Sequence, residues 1–379
     1  MTHGPGSLAA ALQRRFTSTL HDDRVAARLG VALGVAFTVC ALTGAYSHLL
    51  QQEPSWLTLP PRPAGTYRIT QGLHVVTGFA TVPLLLAKLW VVAPKLVEWP
   101  PVRSVGHALE RLALLALVGS AVFLLVSGIA NVARWYPWTF FFPVAHLWAA
   151  WILVGALIVH VGATWAAARA AIPGERPPPD ELRDRRSFLR GVAATSGLLA
   201  LGTAGGTISW LSPVSFLAQR RAGTGPQGLP VNKTARAARV VDRAIDPTWR
   251  LRVTGAVAAP LVLSLADLRA LPQGEAELPI ACVEGWSASA RWRGVPVRDL
   301  LRMAGAAADA HVTVRSIQQG GLYGVSELNH LQARDRDTLL ALEIDGQPLH
   351  LDHGFPVRLI APNRPGVGQT KWVGELVVR

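Results

Sequence analysis

Cysteine is scarce in this chain. Only Cys40 and Cys282 occur among 379 residues, and they stand in different halves, the first inside an apolar stretch. Two thiols so placed exclude a disulfide framework and a cysteine-based zinc site, so any cysteine that matters chemically acts alone. Acidic residues are also few, 24 against 37 Lys and Arg, for a formal charge of +13. Such an excess is what a nucleic-acid surface needs, but its distribution argues against that partner. Before position 212 there are 17 basic and 9 acidic residues, and after it 20 and 15. Most of the early arginines flank apolar runs, where membrane topology accounts for them.

Apolar residues, by contrast, are abundant. Half of the chain is hydrophobic and Trp occurs 13 times. The length predicts two domains, and the apolar segments are concentrated before residue 212, so one half is expected in lipid and the other in water. A span of the hydrocarbon core takes about 20 apolar residues. The segments 29–50, 69–92, 107–130, 144–165 and the weaker 191–211 qualify, separated by proline-rich punctuation such as Pro60-Pro61 and Pro177-Pro178-Pro179. The expected division is a transmembrane four-helix bundle over 1–168, a cytoplasmic linker over 169–190, a fifth, anchoring helix over 191–211 and an exported domain over 212–379.

Charge sets the expected orientation. With the N-terminus inside, the cytoplasmic stretches hold Arg14, Arg15, Arg24 and Arg28, then Lys95, Arg103 and Arg111, then six arginines from Arg169 to Arg190. The outer loops hold only Arg62, Arg68 and Arg134. The positive-inside rule favours this orientation, and five spans then leave everything after residue 212 outside the cytoplasmic membrane. The fifth span opens with "RDRRSFLRGVAATSGLL". An ordinary juxtamembrane arginine cluster would read much the same. The order Arg185-Arg186-x-Phe-Leu-Arg before a weakly apolar run instead resembles a twin-arginine export signal, which carries folded, cofactor-loaded domains. No small-x-small cleavage site follows it, so the segment is expected to remain as an anchor.

Ionisable residues inside spans are costly and usually functional. His146 and His160 are fourteen residues apart on the fourth span, about 21 Å along the axis and roughly 40° around it. Two imidazoles on one face at two depths suit two stacked b-type haems, each needing a second ligand from another helix. His74 is level with His146 at the outer side, and His107 with His160 at the inner side; His48 is a spare outer candidate. Loop-bonded interfacial histidines are the alternative, above all for His48. The stretches "LHVVTGF" and "AHLWAAWILVGALIVHVGATW" resemble the di-haem cytochrome b subunits of membrane-bound formate dehydrogenases and hydrogenases. The first span departs from that family in lacking an inner-side histidine.

From about Asn232 the pattern turns to short alternating strands such as "WRLRVTGAV", "AHVTVRSI", "PVRLIAP" and "KWVGELVVR", with helical stretches between, which predicts an α+β domain. Cys282 follows a short apolar strand. It reads either as a buried structural cysteine or as a lone soft metal ligand. Three motifs, "CVEGWSASARWRGVPVRDLL", "TLLALEIDGQPL" and "DHGFPVRLIAPNRPGVGQTKWV", together resemble the sulfite-oxidase-type molybdopterin domain. That resemblance implies that Cys282 ligates molybdenum and that His353, Arg358, Gln369, Thr370 and Lys371 hold the pterin and its phosphate, with Ser316 and Asn232 beside them. Arg and Lys suit a phosphate, and the glycines Gly366 and Gly368 would let backbone N–H groups approach it.

Two departures shape the expected chemistry. Sulfite oxidases carry Asn-Arg-Arg after the cysteine motif, where this chain has Glu284, Gly285, Trp286 and Ser287; "CVEGWS" resembles the bacterial sulfoxide-reductase branch instead. No dimerisation domain follows the last motif, which predicts a monomer. The sequence thus predicts a molybdopterin-dependent oxidoreductase in membrane lipid, exported by the twin-arginine translocase and exchanging electrons with quinone through haem. Reduction of a sulfoxide- or N-oxide-like compound is expected, with sulfite oxidation as the alternative; Arg291 and Arg293 are then the candidates to replace the missing arginine. A reading of another class is a haem membrane protein whose outer domain only binds a ligand.

Overall fold

The computed structural model describes residues 10–171, 178–321 and 323–379; residues 172–177 of the expected linker lie outside them. Among the described residues four helices are long and apolar enough to cross a membrane. They are α1 (Asp23–Gln51), α2 (Thr66–Leu96), α3 (Val105–Ala133) and α4 (Phe142–Ala171). Each runs past the apolar stretch read from the sequence. A 29-residue helix is about 44 Å long, against roughly 30 Å of hydrocarbon. The start of α3 is fixed by Ser104, whose hydroxyl accepts the His107 N–H at 3.2 Å.

Burial in these helices is inverted relative to a water-soluble protein. Leu109, Leu112 and Leu115 on α3 and Trp148, Trp151 and Ile158 on α4 are exposed, whereas Thr81, Ser120, Ala121, Ser127 and Ala149 are buried. Small side chains let helices approach closely, which is how helices associate when the solvent is itself apolar. The buried hydroxyls donate to their own helices: Thr81 to the Thr77 carbonyl at 2.8 Å and Ser120 to that of Ala116 at 2.6 Å.

The fifth helix differs from its expected bounds. Helix α5 covers Pro179–Ala204 and starts within the charged stretch, because Pro179 sits at the entry and Asp180 and Glu181 occupy the first turn, where the helix dipole favours acids. It ends seven residues short of Leu211. At Gly205 the N–H donates to the Ser215 hydroxyl at 2.6 Å, and the carbonyl accepts from the Ser212 hydroxyl at 3.0 Å, so hydroxyls replace the next helical turn. Its apolar part, residues 191–204, is about 21 Å long. Phe188, Leu189 and Val192 pack with Val25, Leu29 and Val91, and Arg185 pairs with Asp22 at 3.2 Å.

The C-terminal region is α+β. Its first sheet orders β2 (Leu261–Leu263), β1 (Leu251–Gly255), β10 (Val373–Val378), β5 (Val312–Ser316) and β6 (Val325–Leu328). Its second orders β3 (Gly274–Ala281), β4 (Ser287–Pro296), β7 (Leu339–Ile344) and β8 (Gln347–Pro348), with β9 (Arg358–Ile360) also on β7. Among the described strand pairings only β1–β10 is parallel. Leu251, Val253, Leu300, Val314 and Leu376 fill one core; Leu278, Ile280, Trp292, Leu339 and Ile360 fill a second, which includes Cys282. Trp292 is fully buried and its indole N–H donates to the Leu278 carbonyl at 3.0 Å, so the large ring enters the core without an unpaired donor.

The compact units do not follow the expected boundary at residue 212. One unit comprises Met1–Leu42 with Leu73–Thr203, the other Thr43–Gly72 with Ala204–Arg379. The connection between α1 and α2 therefore folds as part of the α+β unit. Asn363 ties it there: its side-chain carbonyl accepts the Tyr67 N–H at 3.0 Å, its amide donates to the Tyr46 hydroxyl at 3.1 Å, and its own N–H donates to the Ala64 carbonyl at 3.0 Å. Glu53 accepts from the Asn329 amide at 2.9 Å, and Arg62 donates to Asp335 at 3.0 Å.

Candidate active site

Cys282 stands in the turn between β3 and β4. Its N–H donates to the Trp286 carbonyl at 2.8 Å and its carbonyl accepts from Gly285 at 3.0 Å. Gly285 has φ 88, a left-handed conformation that costs glycine little. The sulfur is fully buried and receives the Asn232 amide at 2.8 Å and the Glu284 N–H at 3.3 Å. Burial, and next the Glu284 carboxylate, push the thiol up to about 12. A thiol in that position becomes a thiolate when a metal cation takes the proton's place. The two N–H donors would then hold the sulfur and moderate its electron donation.

A second feature is cationic. Arg358 opens β9, is buried, and donates to the His353 carbonyl at 3.2 Å, with its guanidinium 5.5 Å over the Trp292 ring. Its Nε is buried and has no hydrogen-bond partner. Lys371 donates to the carbonyls of Lys233 and, at 2.9 Å, Asp352. The His353 ring is hydrogen-bonded to the Pro226 carbonyl at 2.7 Å. Burial pulls Arg358 down to about 9, Lys371 to about 7 and His353 to about 4. Buried cations held by neutral carbonyls lack the charge that would repay their desolvation. A phosphate supplies that charge, so these residues fit the phosphate-bearing cofactor. Gly354 permits the arrangement: at φ 114, a Cβ there would lie 3.1 Å from the Arg358 Cβ and 3.2 Å from the Lys371 Cα.

The other expected residues are placed as follows. Thr370 shares a 2.6 Å hydrogen bond with Ser326, and Gln369 donates to the Arg364 carbonyl at 3.3 Å while its side-chain carbonyl is buried without a partner. Ser316 donates to the Lys371 carbonyl at 2.8 Å and accepts the Gln318 N–H at 3.1 Å, so it braces the segment that carries the lysine just before β10. Gly366 and Gly368 also stand where space is tight. A Cβ on Gly366 would lie 3.1 Å from the Ala281 carbonyl, and one on Gly368 would lie 3.0 Å from the Arg364 guanidinium; the Gly368 N–H already donates to Pro365 at 2.8 Å. The missing side chain at Gly366 lets the chain pack against the end of the strand that leads to Cys282, and the one at Gly368 makes room for Arg364.

Arg291 and Arg293 do not enter the site. They alternate on the exposed face of β4, and Arg293 pairs with Glu343 at 3.2 Å. Ser287 is buried, and its N–H donates to the Gly206 carbonyl at 2.7 Å. No motif points to Arg220, which reaches Glu284 at 2.7 Å and the Asn232 side-chain carbonyl at 3.4 Å. It comes from a stretch without a motif, 62 residues before Cys282. Glu284 stood in view as a departure from the sulfite-oxidase pattern, but only the fold shows its partner.

The helical unit holds another candidate site. The rings of His74 and His146 lie 6.3 Å apart between centroids. Two imidazoles sharing one metal ion, with metal–nitrogen bonds of about 2 Å, place their centroids about 6 Å apart. His74 Nδ1 lies 3.0 Å from the Cys40 carbonyl, an acceptor only, so Nδ1 carries the proton and Nε2 the lone pair. His146 Nδ1 lies 3.2 Å from the Ser127 hydroxyl. The inner pair is not brought together in this way. His107 is engaged in the first turn of α3 by the Arg103 N–H at 3.2 Å and the Arg111 guanidinium at 3.3 Å. Among the described residues no ring contact joins it to His160.

A deep thiol in a hairpin turn and a buried cationic cradle define a class, that of molybdopterin oxidoreductase domains. Residues 237–379 match the family model of the oxidoreductase molybdopterin binding domain. In particular, it is 34% identical over 163 residues to the mitochondrial sulfite oxidase of Homo sapiens, covering 36% of this chain and 30% of that one. It is 36% identical over 131 residues to a chain of Azospira oryzae named for a protein-methionine-sulfoxide reductase subunit, YedZ1, covering 35% and 49%. It is 32% identical over 126 residues to the oxidoreductase YuiH of Bacillus subtilis, covering 33% and 62%. The chain thus spans less than two thirds of each of these relatives.

Proposed function

We propose that this chain is a membrane-bound, molybdenum-dependent oxidoreductase that passes electrons from the quinone pool, through b-type haem, to a small oxo-substrate. A sulfoxide- or N-oxide-like compound is the favoured acceptor: a sulfoxide, two electrons and two protons give a sulfide and water, and a quinol supplies the electrons and releases the protons. The observation that carries this reading is the presence, in one α+β unit, of the buried Cys282 sulfur and of the buried cations Arg358 and Lys371 held by carbonyl oxygens. The cofactor, when bound, supplies the two-electron oxygen-atom chemistry. Cys282 would hold its metal, Arg358 and Lys371 its phosphate, and Asn232 the orientation of the sulfur. His74 and His146 would hold the outer haem, and His160 would serve an inner one.

The reading includes export of the α+β unit. Within the helical unit the beginning of α5 packs with the beginning of α1, and within the α+β unit the residues just after α5 meet the first turn of α2, where Arg68 donates to the Thr207 carbonyl at 3.0 Å. With the N-terminus in a bacterial cytoplasm and α5 as a fifth crossing, the catalytic unit would lie outside, as a twin-arginine route requires for a domain loaded before transport.

The test is Cys282→Ser in the full chain. Purified wild type is expected to carry molybdenum and reduce dimethyl sulfoxide with a reduced dye. The serine variant is expected to lose turnover by at least a hundredfold and to show an altered Mo(V) resonance, because a hard oxygen replaces a soft sulfur. A fully active serine variant would refute the ligand assignment, and wild type without molybdenum would refute the function.

A further inference from the structure

We propose that the Arg220–Glu284 ion pair sets the substrate charge of this site, cancelling an anion-binding guanidinium so that neutral oxides are accepted over oxyanions. The inference rests on the oxidoreductase reading above and adds the residues that choose between its two substrates. Arg220 brings a guanidinium close to the Cys282 sulfur. Its guanidinium lies 3.4 Å from the Asn232 side-chain carbonyl, and the same Asn232 side chain donates to the Cys282 sulfur at 2.8 Å. Two hydrogen bonds therefore separate the positive charge from the sulfur.

That charge is not available to a substrate anion. Glu284 Oε2 sits 2.7 Å from the guanidinium and also lies 3.4 Å from the Trp286 indole nitrogen. The Glu284 backbone N–H donates to the same sulfur at 3.3 Å, so the carboxylate is anchored beside the site by its own main chain. The Arg220 and Glu284 side chains are only 21% and 11% exposed. A pair this sheltered is screened far less by salt and water than a surface pair. An oxyanion approaching Arg220 must compete with an attached carboxylate and meets its repulsion, whereas a sulfoxide oxygen, carrying only a partial charge, is tolerated. Arg291 and Arg293, on the exposed face of β4, offer no substitute.

Glu284→Gln keeps the shape, removes the charge and leaves the guanidinium for an incoming anion. In molybdenum-loaded protein, sulfate affinity, read from displacement of the Mo(V) signal and from inhibition of dimethyl sulfoxide reduction, is expected to rise roughly ten- to a hundredfold, the range of one charge-assisted contact. The ratio of sulfite oxidation to sulfoxide reduction is expected to rise by a similar factor. Arg220→Gln is expected to weaken sulfate binding below that of the wild type, and the double variant to return it to within a few-fold of the wild type. A loaded Glu284→Gln protein whose sulfate affinity stays within twofold of wild type would overturn the proposal while leaving the oxidoreductase reading intact. If Glu284→Gln fails to fold, Arg220→Gln decides alone, and unchanged sulfate affinity there overturns it equally. Loss of molybdenum from the wild type is a separate failure, belonging to the underlying function.

Discussion

The two units of this chain solve the same packing problem in opposite solvents. In the α+β unit Trp292, Leu300, Leu339 and Trp372 are buried and the arginines of β4 face out. In the helical unit Leu112, Trp148 and Ile158 face out while Ser120, Ser127 and Ala149 are buried. Water drives large apolar groups inward; lipid gives them no such preference and leaves close approach of small residues to hold helices together. Functional groups follow the same division. The α+β unit buries Arg358 and Lys371, cations that await a counter-ion, and the helical unit brings the His74 and His146 rings together.

The largest expected effect on this comparison comes from the helix that joins the units. If Arg185 and Arg186 form an export signal, replacing both with Lys should leave the α+β unit on the cytoplasmic side, inaccessible to external protease, while α1 to α4 still insert. The structure gives Arg185 a second occupation, because it pairs with Asp22 at 3.2 Å and Glu181 at 3.1 Å, whereas Arg186 is exposed. Arg186→Lys alone separates the two. An export role predicts that it impairs transport about as much as Arg185→Lys, measured by protease protection in spheroplasts. Normal transport with Arg186→Lys and failure with Arg185→Lys would assign the arginine to the folded bundle instead.

A smaller effect is confined to the helical unit. His74→Ala and His146→Ala are each expected to remove the same component of a reducible b-type spectrum and to leave the molybdenum content of the α+β unit unchanged. His160→Ala is expected to remove a different component. Identical spectra in all of these variants would make the 6.3 Å pairing of His74 and His146 a structural contact only.

Legibility in the sequence differed between the units for physical reasons. Span length and histidine depth are one-dimensional properties, so four helices and the approach of His74 to His146 could be reasoned from spacing. The motifs around Cys282 and Arg358 carry their chemistry within a few residues, and the resemblance they gave led to the fold class. Contacts of long sequence separation left no such trace. Asn363 holds Tyr67 across 296 residues and Asn329 holds Glu53 across 276, so the membership of residues 43–72 in the α+β unit could not be read from composition. Arg220 was invisible for the same reason. The early start of α5 was hidden because hydrophobicity was used to locate it, while its first turns are built from charged helix formers.

The smallest effect sharpens the contrast between buried cations and buried neutral groups. Lys371 is drawn down to about 7 and His353 to about 4, against about 10.4 and 6.5 in an unfolded chain. Both are bases whose folded values are lowered, so between about pH 4 and 10 the unfolded chain binds more protons than the folded one. Stability of protein made without cofactor therefore rises with pH across that window: the cost of burying a charged lysine is fully present below about pH 7 and is relieved as the pH climbs toward 10. A bound phosphate reverses the sign at Lys371, because the ammonium then gains a partner and its folded value moves upward. Thermal unfolding of the full chain in detergent should show a midpoint a few degrees higher at pH 9 than at pH 6 for the cofactor-free protein, since about 1 kcal/mol shifts a domain of this size by roughly 2–4 °C. The loaded protein should show no gain, or a loss, over the same interval. A cofactor-free midpoint that falls from pH 6 to pH 9 would mean that Lys371 already has a counter-charge in the folded chain, and the cradle would then lack the electrostatic need that a phosphate is expected to fill.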